Sequence, residues 1–421
     1  MPEDPTAPFR LLQFAPAFAA HPMNGAELRS YHLARGLARS MEVTHLGFSS
    51  TGAASIPRAD GIQFISVPRE RSYRRVDLAR GAMGPVPFPV LNYTRANMKT
   101  ALEQTLASTR FAFVQLESIH LAGYMPILRR HVNKPRFIVC DWHNIESALL
   151  AQSTEGRGGW VGKLYIRRQA KLLETFERRF LNQCDAHIAV SEADRDVLLA
   201  YGANVPVFTI PNGVDVQYFS GLNSGASPSG MKRHRVLFVG SMDYYANIDG
   251  VKQFAAETWP DIRRHLPETA FTIVGRNPPP DVRALAAQPG IEVTGSVPDV
   301  RPYYREAFVV VVPLRAGGGT RLKILEAMAA GLPVISTKVG AEGLAVAPGR
   351  HYFEANTPAD MCARVLEAAR GESSVAHVAA AGHELAKQLY DWSSLAGSLT
   401  AQIMALASSS LGRPEAARQT R

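Results

Sequence analysis

A chain of 421 residues with 46% hydrophobic and 20% charged residues is neither disordered nor fibrous and has room for two or three folded domains. Its three cysteines (Cys140, Cys184, Cys362) form neither a disulfide framework nor a zinc pattern, and no apolar run approaches the roughly 20 residues that span a bilayer. A net charge of +9 admits nucleic acid, an anionic membrane surface or phosphorylated ligands as partners without choosing among them. The start, "MPEDPTAPFR", is acidic and proline-rich, unlike a signal peptide. A reducing cytoplasm is the expected compartment.

In chain order, strands are predicted at "FRLLQF" (from Phe9), "EVTHLGF" (Glu42), "IQFISV" (Ile62), "FAFVQL" (Phe111), "RFIVCD" (Arg136) and "AHIAVS" (Ala186). A second set follows at "RVLFVG" (Arg235), "AFTIVG" (Ala270), "IEVTGSV" (Ile291), "FVVVVPL" (Phe308) and "LPVIST" (Leu332). Helical stretches separate them, so the pattern is that of βαβ units and parallel sheets, α/β in class. Two sets predict two doubly wound domains. The Gly/Ser-rich "SGLNSGASPSGMKRH", Ser220 to His234, reads as the connection between them, with "TIPNGVD" (Thr209 to Asp215) leaving the first. Ala376–Leu389 and Ser393–Leu406 read as closing helices, and the polar tail from Ser408 as disordered.

The most informative stretch is "PLRAGGGTRLKILEAMAAGLPVIS", Pro313 to Ser336. It reads strand, glycine turn, helix, stop, strand. Gly317, Gly318 and Gly319 permit a sharp turn close to a ligand, and Thr320 is a candidate N-cap. Leu322, Leu325 and Met328 form a core stripe. Gly331 and Pro333 end the helix. Arg321 and Lys323 place two cations in the first turn, where the macrodipole disfavours them. A shared anion such as phosphate resolves the conflict. The bland alternative is a surface helix with a Lys323–Glu326 pair.

This stretch resembles the signature of retaining glycosyltransferases of family 4, which have the GT-B fold. Seven further segments resemble family elements in the same order: "NGAELRSYHLARGLA" (Asn24), "DWHNIES" (Asp141), "VSEADRDVL" (Val190), "IPNGVDVQYF" (Ile210), "FVGSMDYYANIDGV" (Phe238), "FTIVGRNPP" (Phe271) and "VTGSVPDVRPYY" (Val293). The resemblance implies two Rossmann-like domains facing across a cleft, with the last helix crossing back near Trp392. The implied N-terminal, acceptor-binding domain spans 8–217 plus 391–408. The nucleotide-sugar domain spans 218–390, and 409–421 is the tail. It also implies sugar transfer with retention of anomeric configuration, no cofactor beyond the nucleoside-diphosphate sugar donor, and no obligatory metal. The sequence has no Asp-x-Asp element suited to a metal diphosphate.

The leaving diphosphate needs fixed positive charge. Arg321, Lys323 and the backbone of Gly318, Gly319 and Thr320 are assigned to it. Glu326 matches the second acid of the family's Glu-x7-Glu motif, which binds ribose. The first acid falls at Gly318, and the usual basic pair after the first strand of the C-terminal domain is missing from "VGSMDYYANIDG", leaving Gly240 there. His143 matches a histidine facing the reacting sugar, with Asp141 as its partner or as a mere strand end. A histidine held within a turn is the bland alternative. Gly25 is a phosphate-approach glycine or a turn glycine. Val297, with Pro298, matches the base-holding loop, and Arg276 is a base-stacking candidate or an exposed loop arginine.

"RERSYRRVDLARGAMGPVPFPVLNYTRANMK" (Arg69–Lys99) and "GKLYIRRQAKLLETFERRF" (Gly162–Phe180; six basic and two acidic residues) mix basic and apolar residues. Both suit an anionic membrane surface or a lipid-linked acceptor, or else a solvated basic face. Peripheral attachment to the inner face of the membrane is the matching location. No nucleic-acid motif accompanies the charge. The leading expectation is therefore a transferase acting on a saccharide or lipid-linked acceptor in cell-surface polysaccharide or glycolipid assembly. A nucleotide-sugar 2-epimerase on the same fold and a nucleotide-sugar-binding module are the competing readings, the latter kept open by Gly318. Neither the sugar, the base (UDP or GDP) nor the acceptor is encoded in a motif.

Overall fold

Short apolar runs flanked by helices become two all-parallel sheets. The structure, a computed structural model, describes residues 8–18, 20, 24–49, 58–69, 75–152, 160–222, 234–316 and 321–411. The first sheet comprises β1 (Arg10–Ala15), β2 (Glu42–Ser49), β3 (Ile62–Pro68), β4 (Phe113–Leu116), β5 (Phe137–Trp142), β6 (Ala186–Ala189) and β7 (Val207–Thr209), in the order β3-β2-β1-β4-β5-β6-β7. The second comprises β8 (Arg235–Val239), β9 (Ala270–Val274), β10 (Ile291–Gly295), β11 (Ala307–Val312), β12 (Val334–Ser336) and β13 (Phe353–Glu354), in the order β10-β9-β8-β11-β12-β13. This is the Rossmann-like doubly wound arrangement twice over.

The inner strands are apolar along their length because helices cover both faces. Val309, Val310, Val311 and Val312 of β11 have no exposed surface, nor do Leu12 and Phe14 of β1. The eleven strands expected from sequence all form. Expectation missed β7 and β13, which have three and two residues and lie at the edges of their sheets.

The chain divides into two compact units. Unit 1 is Met1–Pro211 with Leu395–Arg421, and unit 2 is Asn212–Ser394. Unit 2 closes on itself at its ends: Val214 N–H donates to Tyr390 O (2.7 Å), and Trp392 N–H to Val214 O (3.2 Å). The last helix, Trp392–Leu411, buries Ala396, Leu399, Ile403 and Ala407, a stripe at helical spacing. Ala396 packs on helix Gly25–Leu37, where a Cβ on Gly36 would lie 2.0 Å from the Ala396 Cβ. Only glycine allows that approach.

One expectation needs correction. The helix runs through Leu411, so residues 408–411 are helical because the apolar stripe continues through Ala407; the rest of the expected tail lies outside the described residues. Most of the expected connection, 223–233, also lies outside them. No helix among the described residues is long and apolar enough to cross a membrane.

Candidate active site

In a doubly wound sheet, ligands meet the strand ends where the order reverses. In unit 2 that point lies between β8 and β11. Gly240 follows β8, and helix Leu322–Ala329 follows β11. Lys323, in the first turn of that helix, is half-buried. Its Nζ donates to Asn247 Oδ1 (2.6 Å) and stands 4.6 Å from the Phe238 ring centroid. A Cβ on Gly240 would sit 3.1 Å from Nζ and 2.9 Å from Asn247 Nδ2, so a larger residue there would displace the Lys323 and Asn247 side chains. Burial, then the Arg321 charge, lower the Lys323 ammonium to about 7 against the pull of Glu326. The site therefore holds a cation in an environment that disfavours it, which an arriving anion would relieve.

Arg321 differs from expectation. It occupies the N-cap position, outside the first turn, is buried and donates from Nη2 to Val339 O (3.2 Å). Only Lys323 of the two expected cations therefore lies within the first turn. Thr320, expected as the N-cap, lies outside the described residues with Gly317, Gly318 and Gly319. Glu326 is half-buried and accepts from Tyr304 Oη (2.8 Å). Burial raises its carboxyl against the lowering effects of Tyr304 and Lys323. No Lys323–Glu326 ion pair forms among the described residues, since the side chains diverge to Asn247 and Tyr304.

Arg276 lies beyond β9. It donates from Nε to Ser241 Oγ (3.1 Å) and pairs with Asp243 (3.0 Å). It is thereby drawn to the segment that follows Gly240. Val297, beyond β10, is half-buried against the core of unit 2.

In unit 1 the order reverses between β1 and β4. Gly25 is the first residue of helix Gly25–Leu37, whose N-cap Asn24 accepts from Glu27 N–H (3.1 Å). Glu117, immediately after β4, is fully buried, and its carboxylate receives four donors. Gln13 Nε2 (2.8 Å) and Gln115 Nε2 (2.6 Å) reach Oε1. Ser30 Oγ (2.8 Å) and His143 Nε2 (2.8 Å) reach Oε2. Burial alone would raise this carboxyl, but bonds from His143 and Ser30 and the charges of His143 and Arg29 bring it down to about 2.

His143 follows β5. Burial would lower its pKa, but the Glu117 bond and the charges of Asp141 and Glu117 raise it. With Nε2 given to Glu117, Nδ1 is the nitrogen left, and no hydrogen bond engages it among the described residues. Asp141 is not the hydrogen-bond partner of His143, as had been considered. Both its oxygens face Arg29, with Nη2–Oδ1 and Nε–Oδ2 each at 2.9 Å. Burial raises the Asp141 carboxyl, and Arg29 opposes it.

The network continues across the sheet. His45 Nδ1 donates to Gln13 Oε1 (2.7 Å), the tautomer following from Gln13 giving its amide N–H to Glu117. Burial lowers His45 to about 4, so the ring is neutral. Sequence reasoning passed over Gln13, Arg29, Ser30, His45, Gln115 and Glu117. A signal was present: Gln13, His45 and Gln115 stand in the middle of otherwise largely apolar strands, and Gln13 is in register with both His45 and Gln115. A polar residue inside a parallel, doubly covered strand must find a partner.

Glu117, Asp141 and His143 each offer a ligand atom, all within 4.8 Å of one another. The donor chemistry argues against a cation there. Glu117 already accepts four hydrogen bonds, its full capacity, and the Arg29 guanidinium already neutralises Asp141.

Residues 23–218 match the family model described as Glycosyltransferase Family 4, and residues 233–370 the model described as Glycosyl transferases group 1. No curated protein sequence matches the chain. Among solved structures, it resembles sucrose-phosphate synthase from Thermosynechococcus elongatus (TM-score 0.68, 17% identity, 94% of this chain and 99% of that one). It also resembles Anabaena HepE in complex with UDP and glucose (0.64, 14%, 93% and 99%). A third is trehalose-6-phosphate from E. coli bound with UDP-2-fluoro glucose (0.61, 13%, 93% and 98%).

Proposed function

We propose that this chain is a glycosyltransferase of the GT-B type that moves a sugar from a nucleoside-diphosphate donor to a saccharide or lipid-linked acceptor, with retention of anomeric configuration. The acceptor reading places it in cell-surface polysaccharide or glycolipid assembly. The observation that carries the donor assignment is Lys323, a half-buried cation at the switch point of unit 2, beside the Gly240 backbone. Solved complexes of two fold relatives contain UDP or a UDP-sugar analogue, which supports a nucleoside diphosphate as its partner.

When the bond between the anomeric carbon and the phosphate oxygen breaks, the electron pair leaves with the diphosphate. Lys323, with the Arg321 charge near it, meets that charge. Glu326, anchored by Tyr304, accepts from the ribose hydroxyls. The family resemblance assigns His143, held by Glu117 through Nε2, to the reacting sugar. Gly25, Gly240, Arg276, Val297 and the Gly318–Thr320 backbone complete the donor assignment carried over from the family resemblance.

The test is a panel of UDP- and GDP-sugars incubated with the full chain and acceptor extracts, reading nucleoside-diphosphate release and the anomeric configuration of the product. Transfer is expected to survive EDTA, because side-chain cations and not a metal ion neutralise the diphosphate. Loss in EDTA with recovery in magnesium or manganese would refute that assignment. Inverted product would refute retention. Binding without turnover would make the chain a nucleotide-sugar-binding module.

Glu326→Gln is expected to raise the donor KM about 10- to 100-fold and to weaken free nucleoside diphosphate in parallel, with kcat unchanged. A hydrogen bond to a charged group contributes roughly 1.5–3 kcal/mol, and a ribose contact is equal in ground and transition states. A fall in kcat alone would assign Glu326 to the reacting sugar.

A further inference from the structure

Helix Trp160–Leu181 is basic and apolar on the same outer face. Its inner side buries Gln169, Ala170, Leu173, Glu177 and Phe180. Trp160, Leu164, Arg167 and Lys171 recur at spacings of four, three and four, one face of an α-helix. All four are exposed, Trp160 by 78% and Leu164 by 61%. Lys163 and Arg168, also exposed, flank them. Over residues 160–173 the helix carries four cations and no acid, and none of the four has an acidic partner within 4 Å among the described residues. By contrast, Arg178 further along pairs with Glu174.

Ordinary solvation explains a basic face. It does not explain a tryptophan and a leucine in water on the same stripe. An indole suits the boundary between headgroups and acyl chains, with lysine and arginine beside it reaching phosphates. We propose that this face docks unit 1 onto an anionic phospholipid surface, Trp160 and Leu164 entering the interface while Lys163, Arg167, Arg168 and Lys171 contact lipid phosphates. The proposal rests on this helix alone. It stands or falls separately from the donor assignment, because its readouts do not involve transfer.

The chain's four tryptophans supply the probe. Trp142, Trp259 and Trp392 are buried, with at most 5% exposure, so Trp160 alone can change environment at a surface. Full-length protein is titrated with phosphatidylcholine vesicles and with vesicles containing phosphatidylglycerol, at low and high salt. Binding is expected to the anionic vesicles, weakened by salt, with a blue shift in emission that Trp160→Phe abolishes.

Each cation near the surface is worth about fivefold in partitioning, so changing Lys163, Arg167, Arg168 and Lys171 together to glutamine should weaken binding by roughly 600-fold. Thermal unfolding should be unchanged, as all four are exposed. Equal binding to neutral vesicles, no binding to anionic ones, or full binding by the glutamine variant would overturn the proposal. So would a concentration-dependent dimer that shifts Trp160 emission without lipid, since the face would then belong to a second copy.

Discussion

Replacing Lys323 with methionine is expected to cut kcat/KM for the nucleotide sugar by about 10²–10³ while leaving Tm at neutral pH unchanged or higher. The loss corresponds to roughly 2.7–4 kcal/mol of stabilisation of the developing diphosphate charge. Stability should not suffer, because the charge opposes folding. The ammonium titrates at about 7 in the folded protein against 10.5 ordinarily. Between those values the unfolded chain binds more protons, so this lysine's contribution to stability rises with pH. Methionine removes the penalty and should flatten that slope. Donor affinity has the opposite dependence. The sugar diphosphate has no proton to lose near neutrality, so affinity should fall as pH rises through about 7 in the wild type but not in the variant. Steady-state kinetics and thermal unfolding on either side of neutrality test both signs. An unchanged kcat/KM would leave the diphosphate to other groups.

Lys323 was legible in sequence because it breaks a local rule, a cation where the helix dipole repels one. The inner strands were legible because burial on both faces leaves continuous apolar runs. Arg321 was read as an equal partner because adjacency in sequence says nothing about side-chain direction, and its guanidinium turns to the Val339 carbonyl. The unit 1 network was illegible for a different reason. Glu117 meets Gln13, Ser30 and His143 from β1, helix Gly25–Leu37 and the end of β5. Only strand order and register bring them together. Once the order β2-β1-β4-β5 is known, the polar residues His45, Gln13 and Gln115 fall into one row, and Glu117 at the end of β4 becomes the obvious acceptor.

Arg29→Met should be the most destabilising single change in unit 1. Arg29 and Asp141 are 1% and 0% exposed and paired through two guanidinium nitrogens. Arg29 Nη1 also donates to Pro211 O (3.1 Å). Removing one member of a buried pair strands the other charge, at a cost of about 3–5 kcal/mol, or roughly 6–20 °C in the unfolding of a unit this size. Adding Asp141→Leu should recover most of that stability, because well-packed apolar residues of similar volume replace buried pairs at little cost. The Pro211 carbonyl, left without its donor, keeps the recovery incomplete. Activity should not return with stability. The double variant removes both the Asp141 charge, which raises His143, and the smaller opposing Arg29 charge, which lowers it, so the net change lowers the imidazole's pKa and the falling limb of the pH–rate profile should move to lower pH. A double variant as unstable as Arg29→Met would place the value of Arg29 in contacts other than the ion pair. One with wild-type activity and an unshifted profile would show that Glu117 alone holds His143 in its working form.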